Sequence, residues 1–212
     1  MTEIRRSYGE GCIAAHALDL IGDRWALLVV REMMLGPRRF GALRANLPGI
    51  SANVLTQRLT QLEAEGLVAR EVLPDPVRVQ IYRLTPAGEG LWPVLRALCR
   101  WGARQPGHNP RLFISPTALM LSMRAMCARD RAGVHLAQMD LGEERFLIET
   151  APGHFRVWRG EGDAALRFSA GTNAMAATVY GPQPLRVSVA GMVTFAGDPN
   201  EGQAFLDLFQ LR

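Results

Sequence analysis

Residues 36–71, GPRRFGALRANLPGISANVLTQRLTQLEAEGLVARE, constrain this chain more than any other stretch. Gly36-Pro37 stops whatever precedes it. Phe40, Leu43 and Leu47 recur at helical spacing, which predicts a short amphipathic helix over 40–46. Pro48-Gly49 breaks it. Ser51 is a good N-cap for a second helix that runs to about Glu65, and Gly66 is its C-cap. Leu55, Leu59 and Leu62 make the buried stripe of that second helix. A rotation of about 100° per residue puts Asn53, Gln57, Thr60 and Ala64 on the opposite face. That face is small, amide-bearing and free of acids. Asn and Gln can bond bidentately to adenine edges in a major groove. The pair therefore has the pattern of a helix-turn-helix with its recognition helix second. An ordinary helical hairpin with a solvated polar face is the plainer alternative.

The next segment adds to the pattern. Residues 67–72 alternate as a strand does, Pro74-Asp75-Pro76 is a turn, and residues 79–84 alternate again. Two strands after a recognition-type helix make a winged helix. Arg78 stands beside the expected wing tip, where a side chain can reach a phosphate or the minor groove. Arg38 and Arg39, just before the first helix of the motif, are further candidate phosphate contacts. Ser51 and Thr56 complete the expected DNA-contact set with Asn53, Gln57 and Thr60. Arg58 lies about 60° from the leucine stripe and is expected to be structural.

With these motifs in hand, residues 12–104 resemble the HxlR family of winged-helix regulators, relatives of the MarR family. The resemblance is carried by the opening Cys12-to-Trp25 segment, by GPRRF, GIS, QRL, EGLV and YRLT, and by Arg100-Trp101-Gly102. One departure is Ile13, where the family usually has Pro. The resemblance implies a dimeric transcription factor on double-stranded DNA. It also implies a place for Cys12, since some family members use the cysteine there to sense oxidants or electrophiles. The alternative for Cys12 is a small buried residue at a helix start.

Charge supports a nucleic-acid partner for the first half. The net charge is +4, and all of it lies before Pro110, where 14 Arg face 10 acids; the remainder balances at 10 of each. Some of these Arg are expected to pair with nearby Glu. No apolar run is long enough for a membrane span. The N-terminus has no apolar signal core, and three scattered cysteines have no metal-ligand spacing. A cytoplasmic protein with reduced thiols, no cofactor and no membrane association is the expectation.

The apolar stretch 25–34 suits a scaffold helix. Thr85-Pro86 begins another helix, in which Pro93 forces a kink or a later start. Its stripe of Leu91, Val94, Leu95, Leu98 and Trp101 offers spare apolar surface for a second subunit. The winged helix is thus expected over 1–104, a linker over 105–111, and a second domain over 112–212.

The second domain reads as a helix after Ser115-Pro116, strands at 134–140, 145–150, 155–159 and 164–169, and a helix over about 172–180. The segment 185–189, a strand 192–195 and a last helix from Asn200 follow. This order resembles the sterol-carrier-protein fold, so the whole chain is expected to be α+β: a winged helix followed by a sterol-carrier-like α/β sandwich. That resemblance implies an apolar tunnel, and Met120, Met123, Met139, Phe168, Met175 and Met192 are the candidate lining for an apolar effector. Ordinary core packing is the alternative for the same residues. His135, His154 and Trp158 read as sheet residues. No nucleophile, base and orienting acid occur at a catalytic spacing, so an enzyme is not expected. A lipid carrier whose winged helix serves only as an assembly scaffold remains the competing function. It predicts no salt-sensitive, sequence-selective DNA affinity.

Overall fold

In the computed structural model, which describes residues 7–73, 79–186 and 193–211, the first helix α1 (Ile13–Ile21) runs from an extended Cys12 to Gly22. Helix α2 (Ala26–Met33) follows, then a two-residue strand β1 (Arg38–Arg39) that leads straight into α3 (Phe40–Ala45). Helix α4 (Ala52–Ala64) starts as expected: the Ser51 hydroxyl accepts from Val54 N–H at 3.2 Å. Leu55, Leu59 and Leu62 are at most 1% exposed and join Val29, Val30, Met33, Leu43 and Leu47 in one core. Burying each such side chain stabilises the fold by about 1.5–3 kcal/mol before the entropy of ordering it is counted.

The end of α4 follows a defined chemistry. Gly66 sits at φ +68°, a conformation that costs other L-residues steric strain. Its N–H donates to Glu63 O at 3.0 Å, and Leu67 N–H donates to Leu62 O at 2.9 Å. This pairing of bonds is the Schellman motif, and it turns the chain into β2 (Val68–Leu73). β2 pairs antiparallel with β3 (Val79–Leu84), in a register that sets Val68 opposite Leu84. β1 pairs on the other edge of β3, with Arg38 opposite Tyr82 and Arg39 opposite Ile81. The sheet thus has three strands in the order β1-β3-β2, where the sequence pattern predicts two. Two residues are too few to show alternation, and β3 supplies the partner that makes them a strand.

Thr85 caps α5 (Pro86–Glu89), with Pro86 in its first turn. The Thr85 hydroxyl donates to Gly66 O at 2.6 Å, and Thr85 N–H donates to Leu67 O at 3.0 Å. The new helix is therefore stitched to the exit of α4. Gly88 is required by space here, because a Cβ would lie 2.1 Å from Leu67 O. The single helix expected from Thr85 onward is two: α5 stops at Glu89, and α6 (Trp92–Gly102) begins with Pro93 in its first turn, where the missing N–H is harmless.

The chain divides into two compact units, Met1–Trp92 and Pro93–Arg212, so α6 packs with the second. Arg100 Nε donates to Ala125 O at 2.9 Å within that unit. Helix α7 (Pro116–Met126) is capped by Ser115, whose hydroxyl accepts from Ala118 N–H. Strands β4 (His135–Leu141), β5 (Glu144–Ala151), β6 (His154–Arg159) and β7 (Leu166–Ala170) precede α8 (Thr172–Tyr180). After them come β8 (Thr194–Ala196) and α9 (Pro199–Leu206). The sheet order is β6-β5-β4-β7-β8, with β4 and β7 parallel and every other pair antiparallel. The segment expected over 185–189 opens differently, since Leu185 and Arg186 are helical; the rest of it lies outside the described residues.

Asn173 on α8 holds the start of this unit. Its amide donates to Pro110 O and Leu112 O, and its carbonyl oxygen accepts from Ile114 N–H. An aromatic seam closes the far end. Phe168 lies 4.8 Å from Phe195 and 5.8 Å from Phe205, and Phe205 lies 5.2 Å from Phe209. The seam ties α9 to β7 and β8.

Candidate nucleic-acid interface

Helix α4 presents Asn53, Thr56, Gln57, Thr60 and Ala64 to solvent, as the angular argument requires. Thr56 also donates its hydroxyl to Ala52 O at 2.9 Å, which fixes its rotamer. Ser51 is exposed at the helix start, with its hydroxyl oxygen engaged as the cap. The first turn of α4 carries no acid, so no negative side chain there offsets the partial positive charge of its N-terminus.

Arg58 belongs elsewhere. It is 9% exposed, forms an ion pair with Asp23 before α2, and donates to Gln61. The one cation of α4 thus holds the helix to its scaffold and leaves the outer face to amides and hydroxyls. Other arginines of this unit also meet acids: Arg31 pairs with its neighbour Glu32, Arg83 pairs with Glu71 across the β2–β3 ladder, and Arg70 Nε lies 3.7 Å from Glu63. Arg38 is half-buried and Arg39 exposed, both carried on β1 at the approach to α3. Arg44, on the exposed side of α3, adds a cation that the sequence pattern did not single out. Its signal was its place in the first helix of the motif, off the Phe40–Leu43–Leu47 stripe. Arg78 lies outside the described residues.

Cys12 is exposed at the N-cap of α1, so the buried alternative for it does not hold. The N–H groups of Ala15 and Ala14 stabilise its thiolate and lower its pKa from the ordinary thiol value. Helix-start amides supply this effect. Arg24 lies over the Trp25 ring, 5.8 Å from its centroid.

In the second unit Met120, Met123, Met139, Phe168 and Met175 are all 0% exposed, and Met192 lies outside the described residues. Two clefts of about 440 and 450 Å³ open elsewhere on this unit, and none of these five side chains lines either one. Among the described residues there is no group of three or more His, Cys, Asp and Glu that could hold a metal. Among the same residues no helix is long and apolar enough to cross a membrane.

An acid-free amide face on the second helix of a helix-turn-helix, backed by a three-stranded wing sheet, defines a winged-helix DNA-binding protein. Comparison with known proteins carries this further. The HxlR-like helix-turn-helix family matches residues 20–109. An uncharacterized HTH-type transcriptional regulator of Mycobacterium tuberculosis (strain ATCC 25618 / H37Rv) is 45% identical over 136 residues, 64% of this chain and 80% of that protein. That similarity is longer than the span the family matches. The uncharacterized HTH-type transcriptional regulator YvaP of Bacillus subtilis is 42% identical over 86 residues, 40% of this chain and 79% of YvaP. Among solved structures, the reduced form of the transcriptional regulator YodB from B. subtilis is 34% identical. It covers 47% of this chain and 100% of that chain, with a TM-score of 0.42. The chain belongs to the HxlR family of MarR-like helix-turn-helix proteins, and its work is DNA-binding transcription regulation.

Proposed function

We propose that the protein acts as a homodimer on a pseudo-palindromic duplex, with α4 of each protomer in a major groove and the two recognition helices roughly 34 Å apart. The observation that carries this is the exposed, acid-free face of Asn53, Gln57 and Thr60, with Arg58 drawn inward. Asn53 and Gln57 read base edges, while Ser51, Thr56 and Thr60 border that contact. Arg38, Arg39 and Arg78 neutralise phosphates. The apolar surface a dimer needs is present in both units: Ile13 is 86% exposed on α1, and Trp101 is 60% and Leu98 45% exposed on α6. Sedimentation with and without a duplex from the protein's own upstream region tests it. The expected result is a dimer at micromolar concentration, carried onto DNA as a dimer. A monomer under both conditions overturns the dimeric reading, and DNA affinity that ignores sequence and salt overturns the DNA-reading face.

The second unit is read as sterol-carrier-like on its order of helix, four strands, helix, strand and helix. An apolar effector among Met120, Met123, Met139, Phe168, Met175 and Met192 would have to displace side chains that are fully enclosed where they are described. The closed packing favours a structural use of these residues. It points the search for an effector site to the unit's surface. Cys12, exposed and with its thiolate stabilised, is the proposed point of attack for an oxidant or electrophile.

A further inference from the structure

Arginines at 96, 100 and 104 recur every four residues, so they stack along one side of α6 and the turn that follows it. Arg100 and Arg104 line a cleft of about 440 Å³ with Met126, Cys127, Ala128, Asp130 and Gln210. The cleft is held open by hydrogen bonds that need no ligand. Arg100 Nε donates to Ala125 O at 2.9 Å, Cys127 N–H to Met123 O at 2.9 Å, and Ala128 N–H to Leu208 O at 2.8 Å. Cys127 also bridges to Phe209, which anchors the floor to the C-terminal segment.

The electrostatics of this corner are unbalanced. Burial, followed by the charges of Arg129 and Arg96, lowers the pKa of Arg124 in the last turn of α7. Arg96 Nε is itself buried with no hydrogen-bond partner. Among the cleft's lining residues two arginines, Arg100 and Arg104, face one acid, Asp130. Burial pushes the Cys127 thiol up to about 11, so it faces the cleft as a neutral, weakly polar group. Met126 and Ala128 extend that apolar strip. A planar guanidinium fork matches a carboxylate, and an apolar strip beside it accommodates hydrocarbon. The volume is that of a small-molecule site.

We propose that this cleft binds a small amphipathic carboxylate, its head on Arg100 and Arg104 and its hydrocarbon body along Met126, Cys127 and Ala128. The full-length protein is titrated by calorimetry with sodium octanoate, 1-octanol and sodium phosphate. Octanoate binds saturably, and octanol and phosphate each bind about tenfold weaker or less, because each lacks one half of the match. Arg104→Gln, a change at an exposed side chain, weakens octanoate about tenfold. Asp130→Asn tightens it by removing the opposing charge. Equal binding of octanoate and octanol overturns the proposal, as does octanoate binding that Arg104→Gln leaves unchanged. If Arg104→Gln lowers DNA affinity and spares octanoate, the arginines serve nucleic acid and the proposal falls.

Discussion

The guanidinium of Arg58 closes on the carboxylate of Asp23, which joins the middle of α4 to the start of α2. The Arg58 side chain is 11% exposed and that of Asp23 49%, so the pair straddles the surface of the first unit. Asp23→Ala leaves a nearly enclosed cation with Gln61 among its remaining partners. Screening on the Asp23 side reduces the loss from that of a fully buried pair to about 1–2 kcal/mol. Urea unfolding should show a lower midpoint with an unchanged slope.

Asn53→Ala and Gln57→Ala should leave stability almost unchanged, because both side chains are exposed. Each should relax base preference by about 1–3 kcal/mol if it makes a bidentate contact. Competition binding against a panel of single-base operator variants measures this. Preference that survives both substitutions places the reading face elsewhere.

Arg39→Ala should weaken binding to all duplexes by a similar factor and lower the salt slope by about one. Arg38→Ala should do the same with some added loss of stability, since Arg38 is half-buried opposite Tyr82. The readout is the logarithm of affinity against the logarithm of salt concentration. A change of base preference in either variant is incompatible with a phosphate contact.

Two cysteines should titrate in opposite directions. The Cys12 thiol ionises below the ordinary thiol value because helix-start N–H groups stabilise the anion, whereas burial raises Cys127 to about 11. Iodoacetamide at neutral pH should therefore alkylate Cys12 first and spare Cys127 in the folded protein, as read by peptide mass spectrometry. Stability follows from the same shift. Above the unfolded thiol value of roughly 8.5, the unfolded chain releases the Cys127 proton first. Folding stability then falls as pH rises toward 11, and Cys127→Ala should flatten that fall.

Local signals made α4 readable in the sequence. A cap hydroxyl at Ser51, leucines at helical spacing and Gly66 past the end each act within one or two turns, and all three appear in the structure as expected. The exposure of Asn53 and Gln57 follows from the same geometry. What was not readable depends on partners distant in sequence. β1 exists because β3 offers it hydrogen bonds. Glu32 lies fully buried in an otherwise apolar stretch and pairs with Arg31 at 2.8 Å, which a hydrophobic pattern does not reveal. Pro93 marked a disturbance in the helix after Thr85, but the helix stops earlier, at the Gly90 C-cap. The cleft lined by Arg100 and Arg104 draws on α6, α7 and the C-terminal segment together, which the spacing of the arginines alone does not reveal.

The pairing of β1 with β3 has a consequence for how this arm tolerates change. Arg38 and Arg39 owe their orientation to a ladder whose other rail is Tyr82 and Ile81, far along the chain. A substitution that loosens β3 also loosens the strand that carries these two arginines. Mutations in these separate stretches of sequence are therefore epistatic, and a second change does little further harm once the first has unlaced the ladder.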